Sequence, residues 1–197
     1  MTPHDYALIA QEAYTASPEI GATDSASRAI FRYTPDGLCV AFPGTDNFAS
    51  WMADLDVLTV SVPGAGEIHR GFWEAWDVIA PQIVALVGDQ PVTFVGHSLG
   101  AALAICAAVE LTVSGRPPKA VYGFEPPRVS PATGVRTLLA GVPVYLTRNG
   151  HDVVPDVPLD WQHAADLTLI GKAIYPFPNV ADHMLANVIV ALAQSGS

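Results

Sequence analysis

The chain has 197 residues, of which 50% are hydrophobic and 14% are charged, and its formal net charge at pH 7 is −10. This length is enough for one domain with a full hydrophobic core, and we predict a single domain over residues 1–197. The acidic balance and the lack of a basic run exclude nucleic acid as a partner and argue against electrostatic docking to anionic lipid.

The N-terminal segment MTPHDYALIAQEAY predicts an amphipathic helix. Its features are a capping pair of Thr2 and Asp5, Pro3 in the first turn, and a face with Tyr6, Ala10, Ala13 and Tyr14. The segment lacks the basic flank and the apolar core of a signal peptide. We therefore predict a cytoplasmic protein and leave export without a signal peptide open. The sequence indicates no oligomeric state.

A hairpin and a helix are predicted next. The strands ASRAIFRYT and GLCVAFPG flank a Pro-Asp-Gly turn at residues 35–37, which is typical of a hairpin. A loop rich in glycine and proline follows from Val62 to Gly66. The segment FWEAWDVIAPQIVALVG then repeats apolar residues at a helical period, and Pro81 within it predicts a kink or a restart.

Residues 91–109 contain no Asp, Glu, Lys or Arg, which is the first sign of a membrane span. We reject a span because polar and glycine residues at 96–100 fall at its centre. The run VTFV instead predicts a buried strand, and AALAICAAVEL predicts a helix. Between them lies GHSLG. A G-x-S-x-G motif between a strand and a helix is typical of a nucleophile elbow, which exposes its serine, here Ser98, at a sharp turn.

Strands and helices alternate through the rest of the chain. We predict strands at KAVYGF, VPVYLT and ADLTLI, a short helix near residues 132–139 and a last helix at MLANVIVALAQ. This alternation implies right-handed crossovers and a mostly parallel central sheet with helices on both faces. In such α/β folds the chemistry collects at the carboxyl ends of the strands, where Ser98 falls.

A nucleophilic serine needs a base, and the base needs a carboxylate that orients it. Of the six histidines, His183 lies downstream of every predicted core strand, as the chain order Ser, Asp, His requires. His97 lies inside the elbow and cannot readily fold back onto Ser98. We predict His183 as the base.

For the acid we predict Asp152, because the strand VPVYLT delivers it to the same edge of the sheet as Ser98. Three other aspartates are less well placed, namely Asp156, Asp160 and Asp166. Asp182 is next to the predicted base, and we expect its carboxylate to be solvated.

The oxyanion of an acyl-transfer intermediate needs hydrogen-bond donors. We predict that these come from the backbone N–H of Leu99, directly after the serine, and from Thr45 in the turn AFPGT. Cys39 and Cys106 have apolar neighbours, which predicts buried free thiols. No metal-ligand motif is present, and we predict that no metal or organic cofactor is required.

Several motifs in this order resemble the class 3 lipase family of the α/β-hydrolase superfamily. The matching stretches are GLCVAFPGT, NFASWMADLD, IHRGFWEAW, VTFVGHSLGAALA, VYGFEPPRV, HDVVPDVP and the Asp-His pair at 182–183. Four positions depart from the family pattern: Pro43 replaces an arginine, Ala101 stands where glycine is common, Val153 replaces a proline, and Glu125 occupies a glycine position and is followed by Pro126.

The resemblance implies an α/β-hydrolase fold, Ser98 as nucleophile, Asp152 as acid, His183 as base, and Thr45 and Leu99 as the oxyanion hole. It also implies a lid whose apolar face is Phe48, Trp51 and Met52, able to cover the site in water and turn toward lipid at an interface. The alternative is that these three side chains pack on the body of the protein.

The predicted activity is that of a serine carboxylic-ester hydrolase, with an acylglycerol as the favoured substrate. Phospholipase A1, feruloyl or short-chain esterase and acyltransferase remain open, because groove shape rather than the catalytic residues sets the substrate. A serine peptidase and a catalytically inactive lipase-like binding protein are the competing classes. The predicted partners are an ester or lipid substrate and, transiently, a lipid interface.

Overall fold

The computed structural model describes residues 1–45 and 57–195. The strands are β1 Ile20–Gly21, β2 Arg28–Thr34, β3 Gly37–Phe42, β4 Thr59–Val62, β5 Gly66–His69, β6 Val92–His97, β7 Ala120–Phe124, β8 Val144–Asn149 and β9 Leu167–Ile170. The helices are α1 Pro3–Thr15, α2 Arg70–Asp77, α3 Ala80–Val87, α4 Leu99–Val113, α5 Gly134–Leu138 and α6 Leu185–Ser195, and short 3₁₀ helices lie at Leu139–Gly141 and Val154–Asp156.

Seven strands form the central sheet in the order β1-β2-β3-β6-β7-β8-β9. The first two pairings are antiparallel, and every pairing from β3 to β9 is parallel. The predicted fold is confirmed: this is the mostly parallel sheet of an α/β-hydrolase. The carboxyl ends of β6, β7 and β8 lie side by side, because Gly96 pairs with Gly123 and Gly123 pairs with Leu146.

Helices cover both faces of the sheet. Successive side chains of a strand point to opposite faces, and in β3 the buried Val40 and Phe42 belong to one core whereas Cys39 and Ala41 belong to the other. The first core packs against α2, α3 and α4, and the second packs against α1 and α6. Because helices cover both faces of the sheet, β3 and β6 are buried along almost their whole length.

The uncharged stretch at 91–109 is an interior strand followed by an interior helix. All six residues of β6 are buried, as are twelve of the fifteen residues of α4. Among the described residues, no helix has the length and apolar character needed to cross a bilayer. Burial between the sheet and α2 therefore accounts for the hydrophobicity that first indicated a span.

Two local predictions have clear outcomes. The helix restarts at Pro81, as predicted: α2 ends at Asp77, and α3 begins at Ala80 with the proline in its first turn. The loop predicted from Val62 to Gly66 is confirmed as the turn at residues 63–65, and it joins two short strands, β4 and β5, that the sequence analysis did not predict. Gly64 adopts a positive φ of 80°, which a glycine tolerates, so the glycine marks a tight turn here.

Candidate active site

The chain makes a sharp turn at Ser98, between the end of β6 and the start of α4. Ser98 has φ 58° and ψ −127°, a strained region for a residue with a side chain, and such strain costs about 1–3 kcal/mol. The Ser98 N–H donates to the carbonyl oxygen of Phe124 at 2.9 Å, which holds the turn against the end of β7. The geometry is that of the predicted nucleophile elbow.

Two glycines are required because the backbone approaches itself closely on both sides of Ser98. A Cβ atom added to Gly96 would overlap the carbonyl of Gly100 in the next turn of chain. A Cβ atom added to Gly100 would overlap the carbonyl of Phe42 at the end of β3. The glycines of GHSLG therefore allow α4 to begin directly against the sheet, so that Ser98 lies at the tip of the turn.

Asp152 and His183 lie in contact, although 31 positions separate them in the chain. The Asp152 Oδ2 atom is 2.7 Å from His183 Nδ1, and its Oδ1 atom accepts the Val154 N–H at 3.1 Å. Both side chains are nearly inaccessible, at 0% and 5% exposed. Burial alone would raise the pKa of Asp152, but hydrogen bonds from His183 and Glu125 outweigh it and leave the pKa below its ordinary value.

His97 supports the backbone at His183. Its Nε2 atom is 2.8 Å from the His183 carbonyl oxygen, and its Nδ1 atom is 2.6 Å from the Tyr14 hydroxyl of α1. Burial lowers the pKa of His97 to about 3, so its ring is neutral at pH 7. A carbonyl can only accept, so Nε2 carries the proton and Nδ1 accepts from Tyr14. This tautomer makes two hydrogen bonds that join α1, the elbow and the His183 loop.

Ser98 lies at the same edge of the sheet as the Asp152–His183 pair. The ring of its neighbour His97 is centred 4.7 Å from the ring of His183. Ser98 is 1% exposed, and no described residue forms a hydrogen bond with its Oγ atom. The structure thus brings Asp152 and His183 into direct contact, and it places Ser98 at the same edge of the sheet without a hydrogen bond to the imidazole. Such bonds are often long or misaligned before substrate binds.

A pocket of about 370 Å³ opens beside these residues. It is lined by Gln11, Tyr14 and Thr15 of α1, by Thr45 and His97, and by residues 183–186. Leu99 is the first residue of α4, where backbone N–H groups have no partner within the helix. The predicted lid residues Phe48, Trp51 and Met52 lie outside the described residues.

Asp182 is a correction to the sequence analysis, because its carboxylate is buried rather than solvated. It accepts the N–H of His151 at 2.8 Å and the N–H of Ile174 at 3.0 Å, and the Asn179 side chain donates to it at 3.1 Å. These three hydrogen bonds tie His151 and two parts of the loop before α6 to the Asp182 side chain. Asp182 therefore organises the backbone that presents His183.

Glu125 is a site residue that sequence reasoning noted only as a departure from the family pattern. Its side chain is 0% exposed, and one ligand atom each from Glu125, Asp152 and His183 lie within 4.8 Å of one another. That spacing could accommodate a metal ion, but the hydrogen bond between Asp152 and His183 already accounts for the proximity of two of the three groups. Burial and the neighbouring Asp152 carboxylate raise the pKa of Glu125 well above its ordinary value.

The predicted thiols are confirmed. Cys39 in β3 and Cys106 in α4 are both buried and free. Burial raises the pKa of Cys39 to about 12 and raises that of Cys106 as well, so neither thiol is reactive at neutral pH.

Comparison with known proteins identifies the family. The model of the family described as Lipase (class 3) matches residues 39–161. The lipase of Rhizomucor miehei is 31% identical over 182 residues, which cover 74% of this chain and 50% of that protein. The secreted mono- and diacylglycerol lipase A of Penicillium camembertii is 30% identical over 147 residues, which cover 70% of this chain and 48% of that protein.

The structural similarity agrees with the fold. The Rhizomucor miehei triacylglyceride lipase superposes with a TM-score of 0.77 at 21% identity, over 92% of this chain and 91% of the other. The fold and the elbow define an α/β-hydrolase. The chain belongs to the class 3 lipase family.

Two further facts come from the comparisons. The chain spans about half the length of the curated relatives that it matches. The prediction of a cytoplasmic location is wrong, because relatives such as the Penicillium camembertii lipase are named as secreted proteins. The lack of a signal-like N-terminal sequence was not a sufficient basis for a compartment.

Proposed function

We propose that the protein is a serine carboxylic-ester hydrolase that acts on acylglycerols through an acyl-enzyme. The observation that carries the proposal is the buried 2.7 Å hydrogen bond between Asp152 and His183. It lies at the edge of the sheet where β6 ends in the strained turn at Ser98. Membership of the class 3 lipase family supports an acylglycerol substrate, since the relatives are named as lipases. The Penicillium camembertii relative is named as secreted, which supports action outside the cell.

Each residue has a defined role in this mechanism. The Ser98 hydroxyl attacks the ester carbonyl while His183 Nε2 accepts its proton, and Asp152 holds the proton of Nδ1 and stabilises the imidazolium. The N–H groups of Leu99 and Thr45 stabilise the oxyanion. His183 then protonates the leaving alcohol, and water, activated by the same imidazole, releases the acid. The mechanism requires no metal or organic cofactor.

The proposed lipid contact is the loop that carries His183. Met184, 60% exposed, lines the pocket, and the rings of Tyr175 and Phe177 stack at 5.6 Å with 47% and 58% of their surfaces exposed. Exposed apolar side chains on the loop that carries the proposed base suit a lipid interface. The net charge of −10 favours uncharged or zwitterionic lipid over anionic lipid. The Phe48, Trp51 and Met52 segment remains a second candidate for this role.

A fluorophosphonate probe tests the nucleophile, because it reacts only with a serine that a base activates. We expect the wild-type protein to be labelled and Ser98→Ala to remain unlabelled, as read by intact mass. Ser195→Ala, a change at the end of α6, is the matched control and should be labelled like the wild type. An unlabelled wild type would support the inactive binding protein, and labelled Ser98→Ala would place the nucleophile elsewhere.

Hydrolysis of p-nitrophenyl esters across acyl lengths tests the substrate class. For an acylglycerol lipase we expect preference for longer acyl chains and a rise in rate once the substrate exceeds its solubility, because the exposed apolar side chains of the His183 loop then contact an interface. Preference for short acyl chains with no such rise would contradict both the lipase assignment and the lipid contact, and would identify an esterase. Cleavage of amides at rates comparable to esters would indicate a peptidase.

A further inference from the structure

We propose that Glu125 is a positioning residue of this site: as a neutral carboxylic acid it donates a hydrogen bond to the Asp152 carboxylate and fixes the orientation in which Asp152 holds His183. The inference rests on the proposed function, because it gives Glu125 a role in a Ser-His-Asp mechanism. It extends that mechanism by one residue, which lies at the carboxyl end of β7 between the elbow and the Asp152 turn.

The backbone conformation at Glu125 is one that favours glycine, so its side chain is present at a cost in strain. Glu125 has φ 51°, in the left-handed region that favours glycine, and the family pattern has glycine at this position. Its N–H donates to the carbonyl of Thr147 at 2.9 Å, so the strained conformation is built into the contact between β7 and β8. A glycine would satisfy the same backbone without strain, so the benefit of Glu125 must come from its carboxyl group.

The hydrogen bonds of that carboxyl group indicate that it is protonated. Oε1 accepts the Asn149 N–H at 2.6 Å, whereas no donor among the described residues reaches the buried Oε2 atom. The Asp152 carboxylate is the acidic neighbour of Glu125, since one oxygen of each carboxyl group and one ring nitrogen of His183 lie within 4.8 Å of one another. Two carboxyl groups can share a hydrogen bond only through a proton. A proton on Oε2 satisfies that atom, and it avoids two negative charges side by side in a buried site.

The proton resides on Glu125 rather than Asp152 because of the other partners of the two groups. Asp152 faces the imidazole of His183 and the N–H of Val154, both of which favour its charged form. The cation that acts on Glu125 is Arg148, whose guanidinium already pairs with the Asp156 carboxylate at 2.9 Å. With Glu125 neutral, Asp152 accepts hydrogen bonds from three directions, and its rotation about the Cβ–Cγ bond is restrained.

The matched substitutions are Glu125→Gln and Glu125→Leu. Glutamine presents an acceptor oxygen and an NH₂ donor group in the places of the two carboxyl oxygens, and so it can make both hydrogen bonds of the neutral acid. We expect Glu125→Gln to keep kcat within about threefold of wild type, and Glu125→Leu, which has similar volume but no donor, to lose about 10- to 100-fold in kcat with little change in KM, as for loss of a hydrogen bond to a charged group. Full kcat in Glu125→Leu would overturn the proposal.

Two readouts separate a positioning role from a packing role. Infrared difference spectra of wild type against Glu125→Gln at pH 7 should show the C=O band of a protonated carboxylic acid, and this measurement does not depend on activity. The acid limb of the pH–rate profile should superimpose for the two proteins, because the substitution removes no charge. A missing band, or an acid limb that moves to lower pH in Glu125→Gln, would show that Glu125 is ionised and would overturn the proposal.

Each remaining outcome also supports or overturns the proposal. If Glu125→Leu fails to fold, the infrared band and the pH–rate profile of Glu125→Gln still test the protonation of Glu125. If the wild type hydrolyses no ester but shows the band, the proposed function fails while the protonation of Glu125 stands. Activity that a chelator abolishes and Zn²⁺ restores would assign Glu125, Asp152 and His183 to a metal and overturn the proposal.

Discussion

At the residue scale, the contact between Asp152 and His183 sets the imidazole tautomer that the proposed mechanism needs. Because the carboxylate binds Nδ1, the proton of the neutral ring stays there and Nε2 is left with its lone pair. His97 has the opposite tautomer, set by the carbonyl of His183 and the hydroxyl of Tyr14. Two adjacent histidine rings therefore have different roles because their partners differ.

Replacing Asp152 by Asn should depress kcat by roughly 10⁴-fold, because the amide no longer selects the required tautomer. The measurement is ester turnover under saturating substrate, with circular dichroism to verify folding. Asp166→Asn is the matched control: its carboxylate pairs with Arg136 on the surface and is 89% exposed, so its turnover should match the wild type. Near-normal turnover in Asp152→Asn would mean that another group is the acid.

The sequence identified the candidate site residues through chain order and the ends of strands. These rules place Ser98, Asp152 and His183 at one edge of a parallel sheet, and their catalytic roles remain predictions. The same rules could not show that Asp182 is buried, because its partners are backbone N–H groups of a loop with no periodic pattern. A glutamate in place of glycine directly after a buried strand was the available signal for Glu125.

At the scale of elements, the turn between β6 and α4 depends on contacts that only the folded chain reveals. The apolar strand and helix could be predicted because burial on all sides leaves continuous hydrophobic runs. The hairpin of β4 and β5 could not, since each of its strands has only four residues and includes exposed positions. Short strands outside the main core leave too weak a pattern for prediction.

Replacing Gly100 by Ala should damage both stability and activity. The new Cβ atom meets the carbonyl of Phe42, so α4 must move away from β3, at a cost of about 1–3 kcal/mol in the free energy of unfolding. Urea denaturation measures this cost, and kcat should fall because Ser98 and the Leu99 N–H move with the helix. Gly141→Ala is the control, since its Cβ atom meets nothing within 4 Å. Wild-type stability in Gly100→Ala would contradict the proposed close approach.

At the scale of the whole molecule, acid should destabilise the fold through His97. The unfolded chain protonates this histidine below its ordinary pKa of 6.5, but the folded protein does so only near 3. The unfolded state therefore binds more protons between these values, and the free energy of unfolding falls by up to about 1.4 kcal/mol per pH unit as the pH decreases from 6.5 to 3. Glu125, with its raised pKa, acts in the opposite direction, contributing stability at low pH that is lost as pH rises.

Denaturant unfolding at several pH values between about 7 and 4 measures this effect. His97→Gln cannot titrate, so its stability should be lower at pH 7 but should decline less steeply in acid than that of the wild type. His151→Gln, at an exposed side chain, should decline in parallel with the wild type. Equal slopes for wild type and His97→Gln would assign the acid sensitivity to other groups.

The ring of His97 joins two segments that are far apart in the chain. One ring nitrogen bonds to the Tyr14 hydroxyl, and the other bonds to the His183 carbonyl oxygen. The segment at 39–161 that matches the family includes Ser98 and Asp152, whereas Tyr14 precedes it and His183 follows it. A polypeptide trimmed to that segment would keep the proposed nucleophile and acid, but it would lose the His183 imidazole and the Tyr14 hydroxyl that bonds to His97. A shortened version of this protein must therefore keep both flanking segments, since both of them form hydrogen bonds with His97.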